Sequence, residues 1–362
     1  MVINKMTVEV LCIGDPHFQV DNIPEVDLFT EKILSLANEK QPKLIVILGD
    51  TLHTHERLHT IPFNKANDLI YKLSTIALTY VLVGNHDYIS NQQFLTTNHW
   101  LSGIKEWKNV VVVDQVITES LYDVKFTFVP YVPPGRFEEA LNTSGEGWCD
   151  SSCIFAHQEF AGCKMGAITS IEGDKWSTDY PHVVSGHIHS RQSPQANIYY
   201  PGSAMQNAFG ESEKNIIAYL TCNEKGYNLE EINLHLPRKK ILYMDVEDID
   251  EYKVKDTADK LKLTLNGSYD QFKALKKTKK YKDLIEKGVK VVFKPKKLEK
   301  IKKKFDEKGK ELEVVDEIQS NGTDFSTILQ SIVYDKRDPY LLQAFEFIIN
   351  DKQMELDDVV FL

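Results

Sequence analysis

Five places in the sequence set a metal-type ligand directly after a short apolar run. Leu11–Ile13 leads into Gly14, Asp15, Pro16 and His17, and Leu44–Leu48 leads into Gly49 and Asp50. Val81–Val83 leads into Gly84, Asn85, His86 and Asp87, Ile154–Ala156 into His157, and Val183–Ser185 into Gly186, His187, Ile188 and His189. Singly these motifs say little, since Gly-Asp after a strand is more often a turn. In this order they describe one site. Hydrolysing a phosphoester at neutral pH needs a deprotonated water and neutralised phosphoryl oxygens, and a pair of cations about 3.5–4 Å apart meets both needs. Such a pair needs a bridging carboxylate. Asp50, with a strand end to itself, is the natural bridge, with Asp15, His17 and His189 assigned to one metal and Asn85, His157 and His187 to the other. A donor set of imidazole, carboxylate and amide without thiolate suits divalent manganese first, with iron, zinc or magnesium behind it. His86 is not needed for coordination and is the candidate to donate a proton to the leaving oxygen or to steady the transition state. Asp87 either orients His86 or closes a turn.

Convergence of five ligand-bearing segments requires rigid elements that end in one crevice, as the carboxyl ends of strands do in an open α/β sheet. Apolar, β-rich runs at Thr7–Ile13, Lys43–Leu48, Thr79–Val83, Val110–Val113, Lys125–Val129, Ser152–Ala156 and His182–Val184 supply such strands. Pro24–Glu39 carries Val26, Phe29, Ile33, Leu34 and Leu36 at helical spacing, and Pro62–Ile76 carries Phe63, Ala66, Leu69, Ile70 and Leu73. The opening is therefore βαβαβ, an α/β arrangement, and the later strands with short connections predict mixed sheets.

A chain of 362 residues suits one large catalytic domain and a smaller addition. No apolar run reaches the roughly 18 residues of a spanning helix, so the expectation is a soluble, intracellular protein with no membrane partner. Cys12, Cys149, Cys153, Cys163 and Cys222 are sparse and odd in number, which argues against a disulfide framework; Cys149, Cys153 and His157 lack a fourth zinc ligand and read better as two thiols and a histidine serving elsewhere. The net charge of −10 excludes a uniformly basic nucleic-acid coat, yet Lys273–Lys310 holds seventeen lysines against five acids. That segment is either a DNA-facing patch or a solvated face. Composition divides the chain into a catalytic domain over 1–235, a Lys-rich α+β domain over 239–316, and a helical tail over 324–362. In the second domain, strands at Ile241–Val246 and Val289–Phe293 flank a predicted helix at Ala258–Lys279. In the tail, Leu341, Leu342, Phe345, Ile348 and Ile349 share a helical face that either docks a partner or packs on its own chain.

The ordered blocks DPH, GD, GNHD, isolated His157 and GHIH resemble the calcineurin-like metallophosphoesterase superfamily over roughly Val8 to Leu220. The resemblance implies two mixed sheets in a sandwich flanked by helices, with a two-metal site at the strand ends. Within the superfamily three details are similar to the SbcD-type nuclease subunit of double-strand-break repair, including its phage versions. GDTLH places His53 three residues after Asp50, where the nucleases carry a histidine that helps position the DNA phosphate or catalysis; GNHD ends in aspartate; and YYPGSAMQNAFGESEKN follows GHIH. The resemblance implies a DNA exo- or endonuclease acting in repair or recombination, with an SbcC-type ATPase partner, a homodimer, and a DNA-capping role for the second domain. DPHF and Thr51-Leu52 depart from the usual blocks without removing a ligand, and the C-terminal third matches only in size and style. The competing expectation is a stand-alone phosphodiesterase or phosphatase for nucleotides or small phosphoesters. His55 and His59 match no family role and read as loop residues.

Overall fold

The structure, a computed structural model, describes residues 7–55, 57–255 and 257–295, and the backbone of 302–305 and 311–314. Strands β1 (Val8–Ile13), β2 (Leu44–Ile47), β3 (Leu78–Leu82) and β4 (Val110–Val113) alternate with helices α1 (Ile23–Lys40) and α2 (Thr60–Ser74). There follow β5 (Ile117–Leu121), β6 (Val124–Phe128), α3 (Phe137–Asn142), β7 (Cys153–Ala156) and a small hairpin of β8 (Lys164–Met165) and β9 (Ile168–Thr169). Strands β10 (His182–Ser185), β11 (Gln192–Gln195), β12 (Ile198–Tyr200), β13 (Ile217–Asn223) and β14 (Gly226–Ile232) complete two six-stranded sheets. The first sheet runs β14-β13-β1-β2-β3-β4 and the second β11-β12-β10-β7-β6-β5. Both are mixed. Strands β1 to β4 are parallel while β13 enters antiparallel to β1; β6, β7, β10 and β12 are parallel while β5 and β11 are antiparallel edges.

The strands read as apolar runs rather than alternating ones because both faces of each sheet are covered. Leu11, Ile13, Ile45, Ile47 and Val81 face α1 and α2, meeting Phe29, Ile33, Leu69 and Leu73. Val10, Cys12, Val46, Tyr80 and Leu82 point the other way into an inter-sheet layer with Phe126, Phe128, Phe155 and Val184. Ile154, Ala156, Val183 and Tyr200 carry the outer face of the second sheet against Phe137, Leu141, Trp148 and Trp176. The predicted helices and strands of this region stand within a few residues of their expected bounds, and Cys153 belongs to the inter-sheet core.

By packing, the chain divides into two units, Met1–Leu265 with Leu275–Val292, and Asn266–Ala274 with Phe293–Leu362. A three-stranded sheet of order β15-β16-β17 follows the second large sheet, built from β15 (Lys239–Asp245), β16 (Lys260–Gly267) and β17 (Lys290–Pro295). The helix expected over Ala258–Lys279 is corrected here. Residues 260–267 are β16, followed by α4 (Tyr269–Leu275) and α5 (Lys279–Glu286). Leu261, Leu263 and Leu265 alternate with polar residues at period two, and Leu263 and Leu265 are fully buried, so one strand face wins over helix propensity. The backbone of β18 (Lys302–Phe305) and β19 (Glu311–Val314) forms an antiparallel pair. The predicted tail over 324–362, with its Leu341–Ile349 stripe, lies outside the described residues.

Candidate metal centre

Each ligand candidate sits just past the carboxyl end of a buried parallel strand, and the two sheets contribute to one crevice. The first sheet supplies Asp15 and His17 after β1, Asp50 after β2 and Asn85 after β3; the second supplies His157 after β7 and His187 and His189 after β10. Asp15, His17, Asp50 and His187 hold left-handed backbone conformations with φ between 33° and 77°. Non-glycine residues there cost about 1–3 kcal/mol each, which the surrounding layers hold in place. Gly49 and Gly84 make the crowding possible. A Cβ on Gly84 would fall 2.2 Å from Asp50 Oδ1, and one on Gly49, whose φ is +100°, would fall 2.4 Å from His157 Nδ1.

All seven expected ligands converge in two groups. Asp15, His17 and His189 present donor atoms within 4.8 Å of one another, with His17 Nε2 and His189 Nε2 2.9 Å apart. Asn85 Oδ1 lies 3.0 Å from His157 Nε2 and 2.9 Å from His187 Nδ1. Asp50 stands between the groups, its Oδ2 3.6 Å from His17 Nε2 and its Oδ1 3.4 Å from His157 Nε2. Asp15 is itself shared, since Asp15, Asp50 and His157 also form a compact trio.

The outward nitrogens of these imidazoles are occupied, which fixes which nitrogen faces the crevice. His157 Nδ1–H donates to the Leu48 carbonyl at 2.6 Å. His189 Nδ1 pairs with Glu211 Oε1 at 3.1 Å, and His187 Nε2 lies 3.9 Å from Glu159 Oε2. Glu211 is in turn anchored by the backbone N–H groups of Asn207 and Ala208 at 2.7 and 2.9 Å, and Glu159 by the Ser170 hydroxyl. Sequence reasoning named neither glutamate. Glu211 lies in the quoted segment after GHIH and Glu159 two residues after His157, but a glutamate among polar residues carries no periodicity that would single it out.

Electrostatically the crevice demands positive charge. Burial works against the Asp50 carboxylate, yet the imidazoles of His157, His17 and His86 hold its pKa well below the ordinary range. His157 is pushed up to about 9 because Asp50 and Asp15 outweigh its burial. Burial raises Asp15, whose Oδ2 has no hydrogen-bond partner despite being sealed from solvent. Burial, reinforced by His189, His86 and His53, keeps His17 well below the usual imidazole range against the pull of Asp50. An orphaned buried carboxylate oxygen, paired imidazoles aimed at each other and a carboxylate between them fit divalent cations as the missing partners.

His86 and His53 flank this centre. The His86 ring lies 4.9 Å from that of His17, and His53 Nδ1 is 3.4 Å from His17 Nδ1. The backbone N–H of His86 donates to Asp50 Oδ1 at 2.8 Å, and its Nδ1–H donates to the His53 carbonyl at 2.6 Å. The orienting bond that the sequence reading offered to Asp87 is therefore made by a backbone carbonyl. Asp87 accepts instead from Gly84 N–H at 2.9 Å and from the Trp100 indole at 2.8 Å, closing the turn that carries Asn85. His55, expected to be a loop residue, places its ring 4.6 Å from that of His86, whereas His59 is exposed just before α2.

Residues 8–203 match the sequence family described as calcineurin-like phosphoesterase. The chain is 52% identical over 292 residues to the protein named "Putative phosphoesterase 078R" of Invertebrate iridescent virus 3, covering 79% of this chain and 84% of that one. It is also 46% identical over 277 residues to "Putative phosphoesterase 244L" of Invertebrate iridescent virus 6, covering 75% of this chain and 98% of that one. Among the described residues no helix is long and apolar enough to cross a membrane.

Proposed function

The chain belongs to the calcineurin-like phosphoesterase family, and from that premise we propose that it is a two-metal phosphodiesterase that cuts DNA in repair or recombination. The observation that carries the two-metal part is Asp50, whose Oδ2 faces His17 while its Oδ1 faces His157. In this reading Asp15, His17 and His189 would hold one cation and Asn85, His157 and His187 the other, with Asp50 the carboxylate available to both. Manganese is the first choice for both positions. When bound, the cations would supply the Lewis acidity that neutralises phosphoryl oxygens and lowers the pKa of a water.

The protein's own groups do the rest. His86 has Nδ1 committed to the His53 carbonyl, so proton traffic is confined to Nε2, the atom left to serve the departing oxygen. His53, whose Nδ1 lies 3.4 Å from His17 Nδ1, would steady a phosphate oxygen. Asp87, with its bonds to Gly84 and Trp100, keeps the Asn85–His86 turn rigid. DNA as substrate is supported by His53 in GDTLH, by the segment after GHIH, and by the lysine surplus of Lys273–Lys310, which suits a phosphate backbone. An SbcC-type ATPase partner and a homodimer belong to the same proposal.

The test incubates the full chain in manganese with end-labelled duplex and single-stranded DNA, beside an Asp50→Ala control. Shortening of the DNA that disappears in the control, together with loss of bound manganese there, is the expected result. Intact DNA alongside hydrolysis of bis-p-nitrophenyl phosphate, with no inhibition by added duplex, would replace the nuclease reading with a stand-alone small-ester phosphodiesterase.

A further inference from the structure

We propose that His55 is a positioning residue for His86, acting as a flat wall that fixes the tilt of the imidazole. The inference rests on the reading of His86 as the residue that serves the leaving oxygen.

A single hydrogen bond does not fix a ring. The bond from His86 Nδ1–H to the His53 carbonyl sets where one nitrogen points, but coupled play in χ1 and χ2 still lets the ring swing and carries Nε2 along an arc. Side-chain torsions onto an imidazole are broad, so rotamer preference alone does not stop the swing. The His55 ring does. It lies 4.6 Å from the His86 ring, centroid to centroid, with the planes only 16° apart. The His53 ring, at 5.5 Å and 17°, is nearly parallel as well. Two neighbouring rings nearly parallel to His86 restrict its tilt, and in the observed orientation it stands edge-on to His17 at 89°.

The wall is itself held. His55 is half-buried, and its Nδ1 lies 3.3 Å from the carbonyl of Tyr88, to which only a protonated nitrogen can donate. Tyr88 is fully buried and sits two residues beyond His86 in the same turn. His55 is therefore referenced to the turn it braces. Misplacing a reacting group by about 1 Å costs on the order of 100-fold in rate, so a ring whose Nε2 swings through an arc loses turnover without any change at the metals.

The test uses the full manganese-loaded chain, its His55→Ala, His55→Phe and His86→Ala variants, and a series of aryl phosphodiesters of rising leaving-group pKa. His55→Ala should lower kcat about tenfold, with KM and bound manganese unchanged. Its loss should grow with leaving-group pKa as that of His86→Ala does, because good leaving groups need no proton. His55→Phe, which keeps the flat face and removes the nitrogens, should recover turnover to within about twofold of the parent. Normal kcat in His55→Ala beside an impaired His86→Ala would overturn the proposal, as would a His55→Phe as slow as His55→Ala, or loss of manganese from either. Normal turnover in His86→Ala would instead remove the reading of His86 on which the proposal stands.

Discussion

At the scale of single residues, the centre is a set of candidate ligands in which His157 and His189 each have the nitrogen away from the crevice engaged. His189 depends on Glu211, and Glu211 depends on two backbone N–H groups. Removing the carboxylate charge while keeping the shape should therefore weaken the cation without touching a ligand. Glu211→Gln is expected to lower manganese affinity about 10- to 100-fold, measured by calorimetric titration of the metal-free protein, with far-UV dichroism unchanged. An unchanged affinity would mean that Glu211 only braces its own loop. The convergence of the seven candidate ligands was legible because each follows an apolar run at once, and a run that ends in Gly-Asp or Gly-Asn-His has few other uses when it recurs. Glu159, Glu211 and the stacked ring of His55 were not legible. Their roles depend on which side chain lies opposite in space, and no spacing in the sequence records that.

Elements place those residues, and the glycines at the strand ends set how closely they approach. Gly49→Ala puts a methyl into the space of His157 Nδ1 and forces a left-handed φ of +100° on a residue with a side chain. It should destabilise the protein by about 1–3 kcal/mol in urea unfolding and release bound manganese, whereas alanine at the exposed turn Gly135, which has the same handedness but open space, should keep the metal. A second element-level tie closes the end of β4. Asp114 accepts from His99 Nε2 at 3.1 Å and from Lys105, joining the strand to the 100–104 turn. Burial opposes its charge, but His99 and Lys105 hold its pKa below the ordinary value. A carboxylate depressed in the fold contributes stability that is present above its unfolded pKa of about 3.9 and is lost as pH falls through the lower folded value. Asp114→Asn should cost about 1–3 kcal/mol at pH 7, and the gap from the parent should close below about pH 4 in unfolding curves taken across the range. The strands could be read as unbroken apolar runs, because both their faces are covered, and both long helices from their periodicity, because only one face of each is. Residues 260–267 could not, since lysines and leucines suit an amphipathic helix as well as a half-buried strand and only the sheet neighbours decide.

For the whole molecule, the decisive fact is that neither sheet owns the centre. Asp15, His17, Asp50 and Asn85 belong to one and His157, His187 and His189 to the other, so a cation held as proposed would tie the sheets across the crevice. Cation binding to the folded state alone adds about 1.4 kcal/mol of stability for each tenfold rise in free metal above its dissociation constant. The melting temperature should climb steadily with manganese, fall on chelation, and stay flat in Asp50→Ala, as read by scanning calorimetry. Sequence order showed that these segments converge, but the division between two sheets was not legible from the runs themselves, because parallel strands buried on both faces look alike whichever sheet they join. The same division has a consequence for how the chain is made. The last ligand, His189, and its brace Glu211 emerge from the ribosome after the first sheet's ligands, and β13, the partner that lies against β1, comes later still at Ile217–Asn223. A nascent chain that has emerged only as far as the end of β4 holds Asp15, His17, Asp50 and Asn85 without His157, His187 or His189. The two groups around Asp50 can therefore come together only after translation has passed His189, near the end of the two large sheets.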